Sequence, residues 1–120
     1  FYEEWTDEAS DVLIQLDKEL FRLLDKLPVA PDYLMPILPY YESTDAPSLT
    51  RKIRSIASFK GIATPMIQTA VGWQPDLHNR YFQEDFLYGL RYVHQEAHRQ
   101  GMDVPVIDEV YEWGVGMINE

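Results

Sequence analysis

A chain of 120 residues, 46% hydrophobic and 13% aromatic, suits one domain with a buried core and is too apolar for a disordered tract. Its formal net charge of −10 argues against nucleic-acid or anionic-membrane partners, because phosphate contacts need clustered Lys and Arg. With no cysteine, disulfides, thiolate zinc sites and thiol catalysis are excluded, and no apolar run approaches the roughly 20 residues of a membrane span.

The opening Phe1-Tyr2-Glu3-Glu4-Trp5 carries no signal peptide, and its lack of Met is expected of a piece of a longer protein. A cytoplasmic location is the matching expectation. Thr6-Asp7-Glu8 supplies an N-cap followed by acids that suit a helix dipole. Val12, Leu13, Leu16, Leu20, Leu23, Leu24 and Leu27 then share one face, predicting an amphipathic helix that ends before Pro28. Pro28, Pro31, Pro36, Pro39 and Pro47 leave room only for short helical turns, around Asp32 to Leu38. A second helix is predicted from Pro47, following Asp45. Leu49, Ile53, Ile56 and Ala57 would face its core, with Gly61 as its stop.

Between Gly61 and Asn79 the helical period fails. Met66 to Trp73 predicts a small β-hairpin turning near Val71-Gly72, with an irregular loop as the alternative. A third helix is predicted from Tyr81 to Gln100, closed by Gly101, and a last one from Pro105 through Ile107, Val110, Tyr111 and Met117. The expected fold is all-α with one β excursion.

The run Arg80-Tyr81-Phe82-Gln83-Glu84-Asp85-Phe86-Leu87-Tyr88-Gly89-Leu90 holds the clearest candidate chemistry. Two adjacent carboxylates beside a cation and aromatic walls invite general acid–base work, since mutual repulsion and burial both raise a carboxyl pKa. Sequence neighbours on a helix do not face the same way, however, and simple complementation of the helix dipole explains both acids. His94 and His98 stand at the i, i+4 spacing of metal-binding helices, but the H-E-x-x-H pattern is absent and surface histidines are the simpler reading. His78 is a lone loop residue. Trp5, Trp73 and Trp113 could line a pocket but more simply fill a core. Arg51-Lys52-Arg54, which could hold a carboxylate or phosphate, more simply forms a solvated face. No dinucleotide fingerprint, P-loop or nucleophile elbow is present, so the chain alone has no evident means of catalysis.

Several segments agree together with one family. Lys60-Gly61-Ile62-Ala63-Thr64-Pro65, then Pro75-Asp76-Leu77, the Arg80 to Leu90 run, and Val104-Pro105-Val106-Ile107-Asp108 resemble, in order and spacing, the C-terminal helical domain of the octopine/nopaline (opine) dehydrogenases. The resemblance covers residues 50 to 118 well and residues 1 to 30 more loosely. It implies a multi-helix domain similar to the C-terminal domain of 6-phosphogluconate dehydrogenase, spanning residues 1–120 with a hairpin near 66–74. An N-terminal Rossmann domain outside this chain would bind NAD or NADP.

The implied enzyme reductively condenses an amino acid with a 2-oxo acid. Asp85 would be the catalytic carboxylate of a His–Asp pair whose histidine precedes this chain. None of His78, His94 or His98 takes that role. Arg80 and Tyr81 would bind substrate, and Glu84 would cap or orient the helix. Leu87 stands where the family commonly has Pro. Neither cofactor-binding nor metal-binding residues are expected within the chain, which alone would be inactive, and a homodimer is left open. The competing reading is a non-catalytic interaction or dimerisation module that retains this fold.

Overall fold

Thr6 starts the first helix as its sequence predicts. Its backbone stays extended (φ −109°, ψ 162°) while its Oγ1 accepts from the Ala9 N–H at 3.1 Å, and α1 runs Asp7–Leu24. The computed structural model describes residues 2–28 and 34–118, and the chain divides into two compact units, Phe1–Ala63 and Thr64–Glu120.

In the first unit the buried positions of α1 are Ser10, Ile14, Glu19 and Leu23, while the leucines flanking them are half-buried. Val12 does not join them and is 43% exposed. Two residues of helix turn it about 200° from Ile14, so it lies on the far side. After Leu24 the chain unwinds through turns closed by the N–H groups of Asp25, Lys26 and Leu27. The Pro-rich stretch holds the four-residue helix α2, Ile37–Tyr40, tied to α1 where the Ile37 N–H donates to Asp17 Oδ2 at 3.1 Å. The part of the expected turns from Asp32 to Tyr33 lies outside the described residues.

Helix α3, Ala46–Ser55, begins in a reciprocal cap. Asp45 Oδ1 accepts from the Ser48 N–H at 2.9 Å, and Ser48 Oγ accepts from the Asp45 N–H at 3.0 Å. The helix stops well before Gly61. Ile56 turns extended (φ −72°, ψ 114°), and a 3₁₀ turn, Ala57–Phe59, intervenes before Gly61 at φ +79°. Leu49 and Ile53 are buried as expected, but Ile56 is half-buried, and Ala57, beyond the helix, is exposed. Ile14, Leu49 and Ile53 form the core between α1 and α3, with Tyr2, Trp5 and Phe59 packed against it.

A polar relay crosses that core. Trp5 Nε1 donates to Ser10 Oγ at 3.0 Å, Ser10 Oγ lies 2.7 Å from Thr50 Oγ1, and Thr50 Oγ1 donates to the Ala46 carbonyl at 2.9 Å. Because the Thr50 proton goes to Ala46, the Ser10 hydroxyl is the donor to Thr50. Both hydroxyls of the relay, Ser10 and Thr50, are therefore used in one direction.

The second unit opens with the hairpin. Strands β1, Met66–Thr69, and β2, Gly72–Pro75, pair antiparallel in the register Met66↔Pro75 to Thr69↔Gly72. Ala70 and Val71 form the two-residue turn.

The predicted third helix is continuous but not uniform. Tyr81–Leu90 is wound as a π-helix and continues directly into α4, Arg91–Arg99. Its end is a Schellman motif: Gly101 takes φ +69°, its N–H donates to the His98 carbonyl, and the Met102 N–H donates to that of Ala97. Helix α5, Pro105–Ile118, follows, and Phe82, Ala97, Val104 and Ile107 are buried. The architecture is all-α with one small hairpin, and no described helix is long and apolar enough to cross a membrane.

Candidate functional site

Asn79 sets the start of the π-helical stretch. Its carbonyl accepts from the Phe82 and Gln83 N–H groups at 2.9 and 3.0 Å, and its Oδ1 accepts from the Tyr81 N–H at 3.0 Å. Gln83 Nε2 reaches back to the Leu77 carbonyl at 2.6 Å, locking the preceding loop to the first turn. Arg80 and Tyr81 thus leave a fixed corner.

One face of the stretch is anchored on α5. The rings of Phe82 and Phe86 stack 5.6 Å apart at 8°, and both lean on Trp113, at 6.3 and 6.1 Å. Phe86 sits over Gly114, where a Cβ would run into its ring. With Phe86 committed to α5, the side chains of Glu84 and Asp85 are turned away from it, and both are exposed. The acid among aromatic walls that the sequence suggested is therefore a solvent-facing acid on an aromatic-backed helix.

The candidate residues take different roles. Arg80 Nη2 lies 3.3 Å from Glu84 Oε2, so Glu84 engages the cation one turn behind it. Asp85 stands beside that pair and takes no part in it. Tyr81 is half-buried at the corner. The structure thus brings Arg80, Glu84 and Asp85 to one exposed stretch of backbone, held from behind by Phe82, Phe86 and Trp113.

The remaining candidates separate. Arg54 Nε donates to the Trp5 carbonyl at 2.6 Å, and Lys52 pairs with Glu42 at 3.5 Å. Arg51 and Arg54 line a shallow cleft that also holds Asp7 and Glu8. This basic cluster is thus met by the protein's own groups. Trp5 packs in the first unit, whereas Trp73 is 63% exposed on the hairpin and does not fill a core. His78 is exposed.

His94 and His98 meet a residue the sequence did not connect to them. Asp108 Oδ1 lies 3.1 Å from His94 Nε2 and 2.7 Å from His98 Nε2. The i, i+4 spacing announced the pair, but no local signal placed α5 opposite it. Asn79 and Gly114 were also missed. An Asn before a helix was readable as a cap, whereas the match between Phe86 and Gly114 is a tertiary fact.

Comparison with known proteins places this geometry. Residues 1–118 match the family described as NAD/NADP octopine/nopaline dehydrogenase, alpha-helical domain. The tauropine dehydrogenase of Arabella iricolor is 30% identical over an alignment of 125 positions, gaps included, that takes in 94% of this chain and 32% of that protein. Octopine dehydrogenase solved with NADH and pyruvate superimposes with a TM-score of 0.78 at 24% identity, covering 98% of this chain and 30% of its own. Octopine dehydrogenase in complex with NADH and agmatine gives 0.80 at 24%, covering 100% of this chain and 32% of its own. At that identity the structural likeness speaks for the fold. The chain spans about a third of the length of these relatives. With the match running through nearly the whole chain, this protein belongs to the NAD/NADP octopine/nopaline dehydrogenase family, through that family's alpha-helical domain.

Proposed function

We propose that the chain is the helical substrate domain of an NAD(P)H-dependent enzyme that condenses an amino acid with a 2-oxo acid to a secondary amine dicarboxylate. The observation that carries this reading is Asp85: an exposed carboxylate on a π-helical stretch whose opposite face is seated on Trp113 and Gly114. Such irregular windings recur at functional sites. Relatives solved with NADH and pyruvate or with NADH and L-arginine support the substrate classes.

The described residues contain no strand that leads through a glycine-rich turn into a helix, so they offer no cradle for a dinucleotide pyrophosphate. On this reading the cofactor, which supplies the hydride when bound, is held mainly by an N-terminal Rossmann domain outside this chain. What Asp85 supplies is an acceptor for the N–H of an imidazole contributed by that other part of the protein. Held so, the ring keeps one tautomer and its protonated form is stabilised, as in other acid–histidine pairs. Arg80 presents a fork suited to a substrate carboxylate, and Tyr81 is the second residue assigned to substrate binding. In the overall reaction the amine nitrogen replaces the carbonyl oxygen, which leaves as water, and the resulting imine carbon takes the hydride while its nitrogen takes a proton.

The test is made on the full-length protein. NAD(P)H oxidation is expected only when amino acid and 2-oxo acid are both present, and Asp85→Asn is expected to lower turnover by about 100-fold or more with the melting temperature unchanged. Near-normal turnover in Asp85→Asn sinks the role given to this residue. Oxidation that needs neither substrate, or no oxidation at all, sinks the reaction and favours a non-catalytic module.

A further inference from the structure

The geometry points to a binding site for a divalent transition cation, zinc above all, formed by His94 and His98 of α4 and Asp108 of α5. It is separate from the Arg80–Asp85 stretch and does not rest on the reading given to that stretch.

Two imidazoles one helical turn apart put their Nε2 atoms against the same carboxylate oxygen, at 3.1 and 2.7 Å, and donor atoms of all three residues lie within 4.8 Å of one another. A tetrahedral ion with bonds of roughly 2.0–2.2 Å holds its ligands about 3.4 Å apart. Against that spacing Asp108 Oδ1 stands about 0.3 Å too close to His94 Nε2 and about 0.7 Å too close to His98 Nε2, so shifts of less than an ångström at that oxygen open room for an ion. Two imidazole nitrogens with one carboxylate form a donor set of intermediate softness, which favours zinc, copper or nickel over magnesium or calcium. The carboxylate offsets part of the ionic charge, and a chain of net charge −10 does not repel a cation.

The ligands are also positioned. The His94 ring stacks on Tyr111 at 4.2 Å and 21°, so its plane is set by the helix that carries Asp108. His98 is 53% exposed, which leaves the fourth position open to water. One feature limits the strength of the site. His94 Nδ1 is buried with no hydrogen-bond partner. A metal at Nε2 puts the ring proton on Nδ1, where an outer acceptor would normally strengthen the ligand. The affinity expected is therefore micromolar rather than that of a closed structural zinc site.

The experiment uses the full chain, stripped with a chelator and titrated calorimetrically with Zn²⁺ alone in a non-coordinating buffer. One saturable Zn²⁺ per chain is expected. The melting temperature should rise with Zn²⁺ but not with Mg²⁺, and Co²⁺ should give the visible absorption of a low-coordinate site. His98→Gln, at an exposed position that tolerates the change, and Asp108→Asn should each weaken binding roughly tenfold or more. No saturable binding up to millimolar Zn²⁺ means that the cluster is only a hydrogen-bonded clamp between two helices, and overturns the inference. Unchanged affinity in either variant overturns it equally.

Discussion

The Phe86 ring lies against Gly114, in a space that any side chain at position 114 would occupy. Phe86 directly follows Asp85, so this contact sets where the carboxylate stands. Gly114→Ala forces the ring, and with it the π-helical stretch, away from α5. Overpacking of this kind costs about 1–3 kcal/mol. The same helix holds the control, since a Cβ at Gly116 meets nothing within 4 Å. Gly116→Ala should be neutral or stabilising by about 0.4–1 kcal/mol, through the reduced freedom of the unfolded chain. Denaturant melts should show a lowered midpoint for Gly114→Ala and an equal or raised one for Gly116→Ala. If Asp85 acts as proposed, Gly114→Ala should also lower turnover, whereas Gly116→Ala should not.

The Trp5–Ser10–Thr50–Ala46 relay makes a second prediction. Ser10 is fully buried, accepts from the indole N–H and donates to Thr50. Ser10→Ala removes an acceptor and a donor at once, in a setting where water cannot replace them. The expected loss is about 1–3 kcal/mol, read as a lower midpoint in urea at unchanged slope. A midpoint equal to that of the wild type would mean that the relay is incidental to stability.

How legible these features were depends on the range of the interaction that makes them. The cap at Thr6, the proline at position 47 and the glycine at 101 act within a few residues, and the sequence placed each one, whereas the cap at Asp45 came with the structure. The hairpin was legible because the helical period fails after Gly61 and Gly72 breaks the run from Met66 to Trp73, although the turn falls at Ala70-Val71 rather than at Val71-Gly72. The end of α3 was misread because Gly61 is a strong stop signal, yet the backbone had already turned at Ile56 to bring Phe59 against the core. The π winding was invisible because it alters the helical period that sequence patterns assume. At the candidate site, the identity of Asp85 came with the family motif, while its exposure did not. Only the packing of Phe82 and Phe86 on α5 shows which way it faces. Asp108 was named within a motif, but its meeting with His94 and His98 depends on how α4 and α5 pack.

Asp45 links stability to pH. The Ser48 hydroxyl and the Ser48 backbone N–H beside its carboxylate hold its pKa below the ordinary value of 3.8, with Arg51 adding a smaller pull in the same direction. A carboxyl group whose pKa is depressed on folding contributes stability above its unfolded value and loses it as pH falls through the folded one. The cap is therefore expected to be fully effective at neutral pH and to weaken only below about pH 4. Asp45→Ala should lower the melting temperature by a few degrees at pH 7, and that gap should close as the pH approaches 2. A gap independent of pH would assign the effect to the backbone rather than to the charge.

Arg80 and Glu84 separate the roles of two adjacent acids. Their pair spans 3.3 Å, with side chains 78% and 60% exposed, so it adds no more than a few tenths of a kcal/mol to the helix. Its consequence is chemical, since Glu84 occupies the guanidinium that the proposed reaction needs for a substrate carboxylate. Losing a charge-assisted bond of about 1.5–3 kcal/mol corresponds to roughly 10- to 100-fold in binding. Arg80→Ala should thus raise KM for the acid substrate by that factor while kcat changes less, the pattern of lost ground-state binding. Glu84→Gln frees the guanidinium and should leave KM equal or lower, with kcat unchanged, although Glu84 directly precedes Asp85. Steady-state kinetics on the three variants decide the matter. If Glu84→Gln lowers turnover as Asp85→Asn does, the two carboxylates act together and the separate roles argued from their geometry are wrong.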